Sequence, residues 1–263
     1  MKLVRLSLAL LWVAGLLPAV ALADGDTPFL STIAIERMPG STGSLGSPTL
    51  STLHVNDAGR AAALLGQIDG LEILTVGNET VRIRSTARPT YRRTASDVDR
   101  QSSWVIDFDE ESVRAIVNEF SGSPTPAQLE RFVFDHIANK TYSRSFDLAS
   151  RVAATGEGDC TEHAVLLAAI ARAQGLAARV VFGVLVLDFD DGLFAFGHAW
   201  TEIFDDGAWQ IRDATMPGED PSLRESRYIP LGSLTDEGPS YVLALVETLA
   251  AMPVRISDVA AGD

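Results

Sequence analysis

The stretch from Ala164 to Phe189, AVLLAAIARAQGLAARVVFGVLVLDF, constrains the fold more than any other part of the chain. Its first half, AVLLAAIA, is apolar on every face of a helix, so that helix belongs inside a core rather than on its surface. Gly175 is placed to end it as a C-cap. From Arg179 onward the run is nearly continuous, apolar and rich in valine, which reads as a buried strand. The composition adds a condition. With a single cysteine in 263 residues, Cys160, no internal disulfide can staple this core.

The N-terminus sharpens that condition. Lys2 and Arg5 precede an apolar run from Leu6 to Leu17, Pro18 breaks it, and Ala21-Leu22-Ala23 follows with small residues at the positions a signal peptidase reads. The run is too short to cross a bilayer, and nothing later approaches the roughly 18 apolar residues a spanning helix needs. The expectation is a leader over 1–23, cleavage before Asp24, no lipid or membrane anchor afterwards, and a periplasmic or secreted protein. Losing Lys2 and Arg5 takes the formal charge from -14 to -16, which excludes non-specific binding to nucleic acid or anionic membrane. In an oxidising compartment, an unpaired cysteine is either buried and inert or retained for its chemistry.

Residues 24–100 read as a β-rich region, with strands at Phe29–Ile35 and Val81–Ile83 separated by the turn-rich PGSTGSLGSPT. Arg82, Arg84, Arg88, Arg92 and Arg93 cluster in RIRSTARPTYRRT. They offer an anion site or, more simply, the solvent face of a strand. Residues 101–263 form the second region. Asp109-Glu110-Glu111 opens a helix that Gly122 ends, and SPTPAQLERFVFDHIANK gives a second with Pro126 in its first turn. The third carries Cys160. After the buried strand come turns at Asp190-Asp191-Gly192 and Asp205-Asp206-Gly207, which make FAFGHAWTEIF and AWQIRD strands of successive hairpins. PSYVLALVETLAAM reads as a helix and VRIS as an edge strand. Helices followed by an antiparallel meander make the fold α+β.

Within GEGDCTEHAVLLAA, Asp159 is an N-cap and Glu162, three residues on, completes a capping box. Cys160 then holds the first helical position, where free N–H groups favour a thiolate. That terminus is worth only about 0.3–1 kcal/mol, too little to ionise a thiol near pH 7, so a cationic partner is required. His198 lies on a strand with Trp200, Glu202 and Phe204 on its face. Asp213 ends the next strand. A hairpin loop of Asp205-Asp206 pairs His198 directly with Asp213, and a loop of Asp206-Gly207 makes them diagonal neighbours on one face. A nucleophile, a base and an orienting acid make up a Cys160–His198–Asp213 triad. His163, three residues after Cys160, is either a rival base or packing. His54 and His136 have no acidic or metal-ligating neighbours and read as structural, and four scattered histidines give no metal site. Trp200 and Trp209 read as core residues, with Trp200 also placed to wall the cleft.

G-D-C-T-E-H-A, then LAARVVFGV, then GHAWTEIFDDGAWQIRDAT resembles the transglutaminase-like superfamily, particularly its secreted bacterial members. The resemblance runs from about Lys140 to Pro217. It implies a papain-like fold, with Cys160 as nucleophile, His198 as base and Asp213 as orienting acid. A cysteine-dependent peptidase, amidase or acyltransferase follows, acting through a thioester on protein, peptide or cell-wall amides, without a cofactor. The superfamily also holds inactive members, so the alternative is a non-catalytic envelope module that binds a peptide or cell-wall strand. One cysteine cannot supply the paired CxxC motifs of the glycan-removing branch. The Cys160 N–H is one oxyanion donor; Trp104, Asn139 and Tyr142 are the unassigned candidates for a second.

Overall fold

The computed structural model describes residues 32–42, 44–140, 146–189, 192–217, 227–235 and 237–262. The expected leader, the start of the Phe29 strand, the Asp190-Asp191 turn and Tyr142 lie outside them. Among the described residues nine strands form one sheet: β1 Thr32–Arg37, β2 Thr49–His54, β3 Ile68–Val76, β4 Thr80–Tyr91, β5 Ala177–Phe189, β6 Gly192–Asp205, β7 Ala208–Arg212, β8 Arg227–Ser233 and β9 Arg255–Ala261. The hydrogen-bonded order is β3-β4-β2-β9-β1-β6-β5-β8, with β7 also on β6. β4 packs against β8, so the sheet curls back on itself. Its inner face encloses an apolar core built from Ile33, Leu53, Val81, Ile83, Val181, Trp200 and Ile256.

Helices cover the outer face. α1 (Ala58–Leu65) belongs to the inner core, whereas α2 (Glu111–Val117), α3 (Pro126–His136), α4 (Ala149–Thr155) and α5 (Cys160–Ala173) contribute to the outer core with β5 and β6, and α6 (Tyr241–Leu249) adds Leu245 to it. The fold is α+β, with helices packed on a largely antiparallel sheet. α5 is buried from Cys160 through Arg172, as its all-round apolarity requires. Each of its Leu and Ile side chains is worth about 1.5–3 kcal/mol over exposure. Arg172, in its last turn, makes a bidentate ion pair with Glu237 at 2.7 and 2.6 Å. The caps follow their chemistry: Thr125 and Gln128 close a capping box on α3 with Pro126 at its first position.

Two elements depart from expectation. α4 was not anticipated; its short apolar stretch, ASRVAAT, is helical because Ala149, Val152 and Ala153 pack into the outer core. Arg255 to Ser257 of VRIS belong to β9, and β9 is no edge: it runs parallel to β1 and antiparallel to β2. Burial of Ile256 and Val259 in the inner core holds it there. The arginine cluster behaves as a solvent face. Arg84 pairs with Glu72 at 2.9 Å, Arg92 with Asp69 at 2.9 Å and Arg93 with Asp99 at 2.6 Å.

Candidate active site

β6 positions the site. One edge pairs with β5 along its whole length, placing Gly183 opposite His198. The other edge pairs with β1 at Ala195 and Phe196 and with β7 from Thr201 onward. Between them, no described strand covers residues 197–200 on that edge. The N-terminus of α5 comes in here. Thr201 Oγ1 donates to the Ala164 carbonyl at 2.8 Å, and the Ala199 backbone N–H is directed at the Cys160 sulfur, favouring the thiolate.

Local sequence explains how the cysteine gets there. Glu162 Oε2 accepts from the Asp159 N–H at 2.9 Å, and Asp159 Oδ1 accepts from the Thr161 N–H at 2.8 Å. The Glu162 side chain folds back over Gly158, where a Cβ would lie 2.2 Å from Glu162 Cβ and the backbone has φ +154. Only glycine fits that step. The cap consumes the amides on either side of Cys160 and leaves the Cys160 N–H without a partner among the described residues.

The β6–β7 register decides between the two hairpin loops considered above. Asp205 pairs with Ala208, so the loop is Asp206-Gly207, both at positive φ (48° and 81°), as a type I′ turn demands. Asp213, one residue past the end of the ladder, is therefore diagonal to His198 and on its face. His198 Nε2 lies 2.7 Å from Asp213 Oδ2. Three further donors converge on that carboxylate: Tyr228 Oη on Oδ2 at 3.0 Å, and the Thr215 N–H and Oγ1 on Oδ1 at 3.0 and 2.5 Å. Burial would raise the Asp213 carboxyl, but the His198 charge and hydrogen bonds from His198 and Thr215 hold it down at about 2. Nδ1 of His198 has no partner among the described residues and is the ring nitrogen left to take a proton.

Cys160, His198 and Asp213 are 0, 3 and 1% exposed. Burial pushes the Cys160 thiol well up, and the Asp159, Glu162 and Asp213 carboxylates push the same way against the Ala199 N–H. The favourable helix terminus is thus outweighed, and Cys160 rests as a thiol. His163 is not free to act as a base: its Nδ1 lies 2.6 Å from the Asp159 carbonyl and its Nε2 2.7 Å from Lys140 Nζ. Burial and the Lys140 charge lower its imidazole to about 3, so it is neutral. His54 meets Ser257 Oγ and His136 the Ala153 carbonyl, each at 2.9 Å. Among the described residues no group of His, Cys, Asp and Glu is arranged to hold a metal.

Trp200 is buried, its ring 6.2 Å from His198 at 26° and edge-on to Tyr228 at 5.0 Å. Trp209 packs edge-on to Phe204 at 5.3 Å, and the Arg179 guanidinium lies 3.8 Å from its ring centre. Asn139 is spent elsewhere, donating to Glu157 Oε1 at 3.0 Å, and Trp104 is 56% exposed. Sequence reasoning missed Thr215, Tyr228 and Glu130, whose Oε1 accepts from the Asp213 N–H at 2.8 Å. Thr215 was within reach of it, since a hydroxyl two residues after an aspartate is a common local acceptor-donor pair. Tyr228 and Glu130 come from distant elements and leave no local signal.

Residues 112–214 match the family model of the transglutaminase-like superfamily. No curated protein matches the chain. Among solved structures, a candidate cysteine protease from Cytophaga hutchinsonii is similar at 16% identity over 71% of this chain and 77% of that one, with a TM-score of 0.41. The periplasmic domain of TgpA from Pseudomonas aeruginosa is similar at 14% identity over 73% of this chain and 85% of that one, with a TM-score of 0.43. No described helix is long and apolar enough to cross a membrane. The helix that presents Cys160 and the hairpin that presents His198 and Asp213 both fall within the matched segment, so the likeness to the transglutaminase-like superfamily lies in the part of the chain that builds the candidate site.

Proposed function

We propose that the chain is a cysteine-dependent hydrolase or acyltransferase of amide bonds, working outside the cytoplasm on a protein, peptide or cell-wall amide. The observation that carries this reading is the His198–Asp213 pair at 2.7 Å on the strand whose next residue, Ala199, holds the Cys160 sulfur. His198 Nδ1 takes the thiol proton as the sulfur attacks the carbonyl carbon. The developing oxyanion meets the uncommitted Cys160 N–H. Imidazolium then protonates the departing amine, leaving a thioester on Cys160. Water or an amine resolves it, with His198 again removing the proton. Asp213 supports the charge on His198 and fixes its tautomer.

The rival reading, a non-catalytic envelope module that binds a peptide or cell-wall strand, is favoured by the complete burial of Cys160. One experiment separates them. With an activated aryl ester as acyl donor, the wild-type protein forms a Cys160 acyl adduct detectable by mass spectrometry, and Cys160→Ser loses turnover while unfolding at the wild-type temperature. Undiminished turnover by a folded Cys160→Ser protein contradicts the enzymatic reading.

A further inference from the structure

We infer that Glu130 is a positioning residue of this site, fixing Asp213 through its main-chain N–H. The inference rests on the triad reading above. Glu130 lies on α3 between Leu129 and Arg131, 5% exposed, where a carboxyl is costly unless it is hydrogen-bonded. Its Oε1 accepts from the Asp213 N–H at 2.8 Å. The location of that N–H gives the bond its importance. Arg212 is the last residue of the β6–β7 ladder, opposite Thr201, so Asp213 is the first residue of β7's continuation that no ladder pairing holds in register. Thr215 and Tyr228 orient the Asp213 carboxylate, but among the described residues only Glu130 holds its amide. Without that bond, the chain leaving β7 can swing about Arg212 and carry the carboxylate away from His198 Nε2.

The groups facing Glu130 are Asp213 beyond β7, Arg212 of β7 with Nη1 3.9 Å from Oε2, and Arg88 of β4. Burial lifts the Glu130 carboxyl to about 7, with the Asp213 N–H, Arg212 and Arg88 opposing the rise and the Asp213 charge adding to it. Neutral or ionised, it keeps a carbonyl-type oxygen for the amide. Glutamine also keeps one and alanine does not, so the pair of variants isolates the acceptor from the charge.

The test reads the His198 ring directly. A proton on Nε2 shared with a buried carboxylate gives a far-downfield proton resonance, which His198→Asn would assign by removing it. Glu130→Gln is expected to keep this resonance and an acyl-transfer rate near wild type. Glu130→Ala should broaden or lose the resonance and slow acyl transfer by on the order of ten- to a hundredfold, with native circular dichroism. Should Glu130→Ala fail to fold, Glu130→Met fills the volume without an acceptor and takes its place. An intact resonance and rate in the folded Ala or Met protein overturns the inference, as does a Gln protein as impaired as Ala. If the wild-type protein shows no Cys160-dependent reaction, the enzymatic reading fails, while the resonance still judges Glu130.

Discussion

Asp213→Asn should lower acyl transfer from an activated ester by roughly 10³–10⁴-fold, the loss typical of a triad whose orienting acid becomes an amide. The Asp213 carboxylate is surrounded by donors: His198 Nε2 and Tyr228 Oη on one oxygen, the Thr215 N–H and Oγ1 on the other. An amide has one acceptor oxygen for two such positions. Whichever way it turns, its NH₂ faces donors. If the NH₂ faces His198, the ring must accept at Nε2 and carry its proton on Nδ1, the nitrogen needed to take the thiol proton. If it faces Thr215, two donors lose their acceptor, and an unpaired buried group costs about 1–3 kcal/mol. The imidazolium loses its counter-charge in both cases. Rates measured beside unfolding temperatures separate these effects. A folded Asn protein within tenfold of wild type would show that Asp213 does not orient His198.

Gly183→Ala should be the most damaging substitution for stability in the core of the sheet, by at least about 3 kcal/mol in urea unfolding. Gly183 stands opposite His198 on β5 and next to Pro230 on β8, at an irregularity in the β5–β8 ladder. A Cβ there would lie 2.1 Å from the Ile229 carbonyl oxygen and 2.9 Å from Trp200 Cη2. The first neighbour is backbone, so relief requires β8 to move. The second is the indole that stacks on His198, and Tyr228, bonded to Asp213, is on the strand that must shift. Overpacking at this point therefore disturbs both the fold and the site. An unchanged urea midpoint would mean that β8 yields freely, and the close approach would lose its meaning.

What could be read from the sequence was local. The cap at Asp159, Pro126 at the start of α3 and the turn glycine at Gly207 each act within a few residues of themselves. The hairpin arithmetic bracketed the relation of His198 to Asp213, and the Asp206-Gly207 turn selects the diagonal alternative. What escaped was long-range. β9 sits between β2 and β1 because its partners were synthesised about 200 residues earlier, and nothing in ISDVAA announces them. Likewise Glu130, in an amphipathic helix, resembles any surface acid until β7 ends against it. The resting thiol of Cys160 is also a property of packing: helix-terminus chemistry argues for a thiolate, but complete burial beside three carboxylates argues harder for the thiol.

The most direct test of the account is the pH dependence of Cys160 alkylation in the wild-type protein and in His198→Ala. Cys160 is the only thiol, so the adduct needs no assignment. Wild type should retain reactivity down through neutral pH because His198 accepts the proton. In His198→Ala the rate should follow thiol ionisation alone, falling by tenfold for each pH unit below the thiol pKa. Superimposable profiles for the two folded proteins would contradict it and leave Cys160 as a packing residue.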